Sequence, residues 1–121
     1  MANEFNISLN LSCNNGYTNN YQKSGQYSQT AQGLVGGAQT IATTPGTLLT
    51  TTSLATLGYG YFQNLDATNS VDIGKDNAGA LDGFVRLKPG EFSYFRLMPG
   101  VTLRAQANVA ACKLYWVVYN D

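Results

Sequence analysis

The sequence predicts an all-β chain: an antiparallel β-sandwich, jelly-roll type, of eight or nine short strands with essentially no helix. Three observations predict it. Apolar and polar residues alternate with period two in at least four segments, and side chains on a strand alternate faces. No segment shows a helical period. Turn signals recur at regular spacing, among them three Pro-Gly pairs, Pro45-Gly46, Pro89-Gly90 and Pro99-Gly100. Proline fixes φ near −65° and glycine tolerates φ > 0, which suits the centre of a type II turn. Short strands separated by such turns are the pattern of a sandwich or a small barrel.

Taken in order, Phe5, Ile7, Leu9 and Leu11 alternate with Asn6, Ser8, Asn10 and Ser12. This reads as a strand with one buried face, continued by Cys13 and ended by Asn14-Asn15-Gly16. Residues 14–46 are rich in Asn, Gln, Ser, Thr and Gly, with Tyr17, Tyr21 and Tyr27 among them. They read either as a polar contact segment or loop excursion, with Gly33-Leu34-Val35-Gly36-Gly37 as a small turn, or as strands without a clear pattern. Thr47 to Leu54 is rich in β-branched residues and reads as a strand. In the next, Leu57 to Leu65, Tyr59 and Tyr61 share a face with Leu57 and Leu65. Gly58 and Gly60 leave room on the other face for a close neighbour. Asp66 to Ser70 is a turn, Val71 and Ile73 mark a short strand, and Gly74 to Gly79 is a loop.

The stretch from Phe84 to Arg104 organises the rest. Apolar runs on either side of Pro89-Gly90 and Pro99-Gly100 predict a three-stranded antiparallel meander. In its last run Val101, Leu103, Ala105, Ala107 and Val109 form the dry face, and Thr102, Arg104, Gln106 and Asn108 the wet one. The chain closes on Cys112 to Tyr119. Leu114, Trp116 and Val118 lie on one face and Lys113, Tyr115, Val117 and Tyr119 on the other, so both faces are largely apolar, as in a central strand.

The 121 residues suit one domain spanning 1–121 with its own core. Hydrophobic residues make up 44%, which excludes wholesale disorder. Charged residues make up only 12%, about half the usual share, leaving a neutral polar surface of the kind that meets proteins or sugars. Two charges precede Asp66 and twelve follow from it on, which suggests two functional faces of one domain. Net charge is zero without a basic run, so no nucleic-acid partner is expected. No apolar stretch is long enough to span a bilayer as a helix. The start, Met1 to Phe5, has no basic region followed by an apolar block, so no secretion signal is expected.

Catalytic chemistry finds little support. There is no histidine, which removes Ser-His-Asp and Cys-His arrangements and any His-assisted metal site. No phosphate-cradling Gly-rich loop with Lys is present. Asp66, Asp72, Asp76, Asp82 and Glu91 could pair for sugar hydrolysis, but they fall mainly where turns are expected, and turns favour Asp for backbone hydrogen bonding. Asp72 to Asn77 lacks the spacing of a calcium loop. No catalytic, cofactor or metal residue is assigned.

Two stretches carry a resemblance: Leu57-Gly-Tyr-Gly-Tyr-Phe-Gln-Asn-Leu-Asp-Ala-Thr-Asn-Ser-Val-Asp-Ile-Gly74, and Phe84-Val-Arg-Leu-Lys-Pro-Gly-Glu-Phe-Ser-Tyr-Phe-Arg-Leu-Met-Pro-Gly-Val-Thr-Leu-Arg-Ala105. Over about residues 57–119 the chain resembles small virion proteins of tailed bacteriophages, of the capsid decoration (cement) type. The resemblance implies a non-enzymatic β-sandwich that binds the major capsid protein lattice as a homotrimer on the capsid exterior, made in the host cytoplasm. A carbohydrate-binding sandwich, lectin-like or fibre-associated, and a neck or tail component are the alternatives. The expected contact residues are Tyr17, Tyr21, Tyr27, Leu34 and Val35, in the segment with little charge and no pattern of burial.

The two cysteines lack metal-ligand spacing. The terminal strands of such sandwiches are often neighbours. Antiparallel pairing of Phe5–Cys13 with Cys112–Tyr119 would place Cys13 next to Cys112, without an obligatory bond in a reducing cytoplasm.

Overall fold

A computed structural model describes residues 3–16 and 18–121. The described residues form ten strands and no helix. They are β1 (Phe5–Asn14), β2 (Thr18–Tyr27), β3 (Leu34–Ile41), β4 (Thr47–Leu49), β5 (Leu57–Asn64), β6 (Val71–Asn77), β7 (Ala80–Leu87), β8 (Phe92–Arg96), β9 (Leu103–Ala107) and β10 (Cys112–Asn120). The chain, expected as a single domain, divides into two compact units, Met1–Ala31 and Gln32–Asp121. Residues 14–46 straddle that division. They contribute β2 to the first unit and β3 to the second, so the segment is mostly strand.

The first unit is a two-stranded antiparallel ribbon of β1 and β2. Asn15 and Gly16 follow β1 where the turn was expected, with Gly16 at φ 76°. The register puts Leu9 opposite Lys23 and Leu11 opposite Tyr21. The alternation of β1 is therefore real, but its apolar face is not buried as expected: Leu9 and Leu11 are exposed. The opposite face is an uncharged ladder in which Gln26 Nε2 donates to Asn6 Oδ1 at 2.8 Å.

The second unit is a sandwich of two four-stranded antiparallel sheets, ordered β3-β10-β5-β8 and β4-β9-β6-β7. The pairing is nested: β3 with β10, β4 with β9, β5 with β8, and β6 with β7 at the centre. One long hairpin folded over on itself gives this order, which is that of a jelly roll. Its tip is the two-residue turn Ala78-Gly79, both at positive φ, as the right-handed twist of hairpins requires. This turn replaces the loop expected at Gly74–Gly79, most of which is strand.

A single core lies between the sheets. Ile41, Phe62, Leu114, Trp116 and Val118 from one sheet meet Leu49, Val71, Ile73, Leu87, Leu103, Ala105 and Ala107 from the other. β10 is a central strand as its two apolar faces imply, flanked by β3 and β5. Gly60 makes room on the inner side, where a Cβ would press on the Phe62 ring and Leu97. Trp116 Nε1 donates to Gln39 Oε1 at 3.0 Å, which satisfies the one polar atom of the buried indole.

The structure corrects three further expectations. Pro89-Gly90 and Pro99-Gly100 do form turns, with Gly90 at φ 79° and Gly100 at φ 82°, and Glu91 N donates to Lys88 O at 3.0 Å. The strands they join are not a meander, however. β8 pairs with β5, while β7 and β9 both pair with β6. The turns are corners at which the chain passes from one sheet to the other. Next, Arg104, placed on a wet face, is 8% exposed. Its Nε donates to Asp76 Oδ1 at 2.6 Å and its Nη1 to Pro45 O at 3.0 Å. Finally, the terminal strands do not pair. β1 pairs with β2, and both edges of β10 are occupied by β3 and β5. The expected proximity of Cys13 and Cys112 rested on that pairing and loses its basis. Neither forms a disulfide; Cys13 is exposed and Cys112 buried.

At the end of β5 the buried Asn64 ties three segments together. Its Nδ2 donates to Asn69 O and Leu87 O, and its Oδ1 accepts from Asp66 N. Asp66 then closes its own turn by accepting from the Asn69 and Thr68 amides at 2.6 and 3.0 Å. The Asn69 amide, and next the Thr68 amide, hold the Asp66 carboxyl below its usual value of 3.8. A depressed folded pKa stabilises the fold above the unfolded value, and that contribution is lost as pH falls through the folded value. Asp66→Asn should therefore lie below wild type in stability by a constant amount above about pH 4. The gap should narrow at lower pH, as urea titrations across that window would show.

Candidate functional site

The two sheets present unlike outer faces. On β4-β9-β6-β7 that face is ionic. Arg86 pairs with Asp72 at 2.7 Å and Arg104 with Asp76 at 2.6 Å. Most of the acids were expected in turns, but Asp76 lies on β6 beside Asp72, and Asp82 lies on β7. Among the described residues no three His, Cys, Asp or Glu side chains cluster to hold a metal ion.

The outer face of β3-β10-β5-β8 is aromatic. Residues directly opposite in an antiparallel ladder share a face. Tyr115 opposes Gln63, Val117 opposes Tyr61, Tyr61 opposes Tyr94, Gln63 opposes Phe92 and Tyr59 opposes Arg96. Tyr119 opposes Leu34 on the other side. Five of the eight tyrosines thus lie on one face: Tyr59, Tyr61, Tyr94, Tyr115 and Tyr119. This pattern exists because β5 and β10 carry tyrosine on the very positions that alternate with Gly60, Phe62, Leu114, Trp116 and Val118 on the core side.

The rings are mutually braced. Tyr61 lies 6.4 Å from Phe92 and 6.3 Å, edge-on, from Tyr115, and its hydroxyl donates to Gln63 Oε1 at 3.1 Å. Such spacings stabilise aromatic pairs beyond the area they bury. Arg96 sits 4.6 Å over the Tyr59 ring and pairs with Asp121 at 2.9 Å. The Asp121 hydrogen bond raises the Arg96 pKa further. Phe92, on the edge strand β8, is 65% and Tyr115, on β10, 38% exposed, so the face is open on both sides of Tyr61.

A concavity of about 420 Å³ opens at the β7/β8 end of the sandwich, lined by Val85, Phe95, Leu97, Met98, Val101 and Leu103 together with Lys75, Asp82 and Arg96. Asp82 is its single carboxylate, so it holds no pair of carboxylates. The buried Cys112 offers no nucleophile either. Burial, and then the Asp66 charge, push its thiol pKa up, and Sγ lies 3.4 Å from Ala110 O.

The expected contact residues belong to both units. Leu34 is 62% exposed and borders the aromatic face opposite Tyr119. Val35 points the other way and packs on the core. Tyr21 and Tyr27 are exposed on the ribbon unit. Tyr17 lies outside the described residues. The aromatic face itself escaped the sequence reading because its residues come from β5, β8 and β10, which only the sheet order makes adjacent. The available signal was the tyrosine on both strands opposite an apolar face. Comparison with protein-family models, curated proteins and solved structures gives no match for this chain.

Proposed function

We propose that the chain is a non-enzymatic structural protein of a tailed-phage virion, a decoration protein whose aromatic sheet face binds the major capsid protein. The observation that carries the reading is the braced row of Tyr61, Phe92 and Tyr115 on an open sheet face. Aromatic residues are enriched and charges depleted at the centres of protein interfaces. This face has both features, since its cations are Lys113 and the already paired Arg96. The partial resemblance over residues 57–119 supports the phage context, and the jelly-roll order is one that capsid and lectin domains both use.

A few aromatic anchors carry most of the energy of such an interface, about 2 kcal/mol or more each. Phe92→Ser combined with Tyr115→Ser should therefore weaken binding to purified capsid shells by about a hundredfold or more. Both side chains lie outside the core, so the circular dichroism spectrum should be unchanged. Full-strength capsid binding by the double variant would remove the proposal.

The same row of rings favours a second reading, a carbohydrate-binding sandwich, because flat aromatic faces also stack on sugar rings. A glycan array separates the two. Binding to one sugar class, lost in the double variant, with no association with capsids, selects the second.

A further inference from the structure

We infer that β3 is an assembly edge that pairs antiparallel with β3 of a second copy of this chain. The four edge strands of the sandwich make the case by contrast. Exposed strand edges invite pairing, and proteins blunt them with shortness, charge, proline or bulges. β4 has three residues. β8 has five, lies between Pro89 and Pro99, and ends at Arg96. β7 carries Asp82 and Arg86, and its pairing is interrupted by a register shift at Ile73/Gly74. β3 has none of these devices. It has eight residues, no charge, no proline and an unbroken register with β10.

The ladder shows which groups face outward. Asn120 N donates to Gly33 O at 2.9 Å. Bonded and non-bonded pairs alternate along an antiparallel ladder. The bonds to β10 therefore fall on Val35, Gly37, Gln39 and Ile41. Leu34, Gly36, Ala38 and Thr40 aim their N–H and C=O groups away from β10. Leu65 N donating to Lys113 O at 2.9 Å, on the other side of β10, fits the same alternation. Gly36 cannot be replaced, because a Cβ there would strike the Trp116 carbonyl of β10.

The occupant follows from this chemistry. The edge offers main-chain groups and no charge, so nothing repels an identical strand. An antiparallel pair of identical strands is self-complementary and closes with twofold symmetry. Full overlap of the outward groups sets Leu34 opposite Thr40 and Gly36 opposite Ala38 of the second copy. The two aromatic faces then continue into one eight-stranded surface. This assembly differs from the homotrimer that the resemblance implied.

The test uses the full chain. Wild type should have twice the 13.0 kDa chain mass by light scattering at micromolar concentration. Ala38→Pro removes one outward N–H and no bond to β10, and should halve the mass while the circular dichroism spectrum is kept. If that variant misfolds, Thr40→Lys, which adds a charge at the exposed edge, should do the same. In the dimer the amides of Leu34, Gly36 and Ala38 should exchange about tenfold or more slower than in the Thr40→Lys monomer, while Val35, Gly37, Gln39 and Ile41 stay protected in both. A monomeric or trimeric wild type, or a dimer that folded Ala38→Pro or Thr40→Lys leaves intact, would overturn the inference. Phe92→Ser with Tyr115→Ser should leave the dimer unchanged, which separates this result from that of the capsid-binding face.

Discussion

Asn64→Ala should destabilise the sandwich by about 3–5 kcal/mol, among the larger effects a single substitution produces. Asn64 is fully buried, and all its polar positions are engaged. Truncation orphans the Asn69 and Leu87 carbonyls and the Asp66 amide, which it bonds at 2.8, 3.1 and 2.9 Å. A buried group left without its partner costs about 1–3 kcal/mol. Asn69 and Asp66 lie near the surface, where water recovers part of that, so the total sits below the sum. The lost amide volume adds a cavity term. A loss of this size lowers the midpoint of thermal unfolding by roughly 10–20 °C for a domain of this size. Asn64→Asp is the informative companion. It keeps the acceptor but turns a carboxylate toward two carbonyls, so at neutral pH it should be no more stable than the alanine variant.

Arg104→Met should cost about 3 kcal/mol or more. It leaves Asp76 and the Pro45 carbonyl without their cation, and removing one partner of a buried pair is far more damaging than removing both. The Arg104 side chain is 9% and that of Asp76 22% exposed, so the cation is buried and its partner half-buried. Arg104→Met with Asp76→Leu should recover much of the loss. Arg86→Met serves as the control. Its partner Asp72 is at the similar distance of 2.7 Å, but the Arg86 side chain is 65% exposed. Exposed pairs contribute about 0–1 kcal/mol, so urea midpoints should barely move.

These two residues also show where sequence reasoning stops. Alternation placed Arg104 on a wet face, and the backbone does orient it away from the core. It is buried because the turn carrying Pro45 covers it, a contact across 59 positions of chain that no local pattern records. Asn64 lies inside the strand expected over Leu57–Leu65 and carries no local signal, since its role depends on the ends of β7 and of the Asp66 turn meeting there.

Strand identity was legible where one face is dry. β9 was recognised from its dry and wet faces, β5 from tyrosines alternating with glycines, and the central place of β10 from its two apolar faces. Strand partners were not legible. Local turn chemistry argued for hairpins at Pro89-Gly90 and Pro99-Gly100, and the turns formed, but nesting around the β6–β7 tip sends their strands to different sheets. β1 failed in another way. Its apolar alternation was read as core, yet the ribbon has no layer of its own to cover Leu9 and Leu11. The aromatic face combines both problems, because Tyr61, Phe92 and Tyr115 lie far apart in sequence and meet only through the order β10-β5-β8.

The most direct test of the aromatic face as the contact surface is hydroxyl-radical footprinting of the chain, free and within purified particles. Aromatic side chains are oxidised where solvent reaches them. Peptides carrying Phe92 and Tyr115 should be strongly labelled in the free protein and protected in the particle, while Phe84, 84% exposed on the ionic sheet, stays labelled in both. Equal labelling of Phe92 and Tyr115 in the two states, with the chain shown to be particle-bound, would contradict the account.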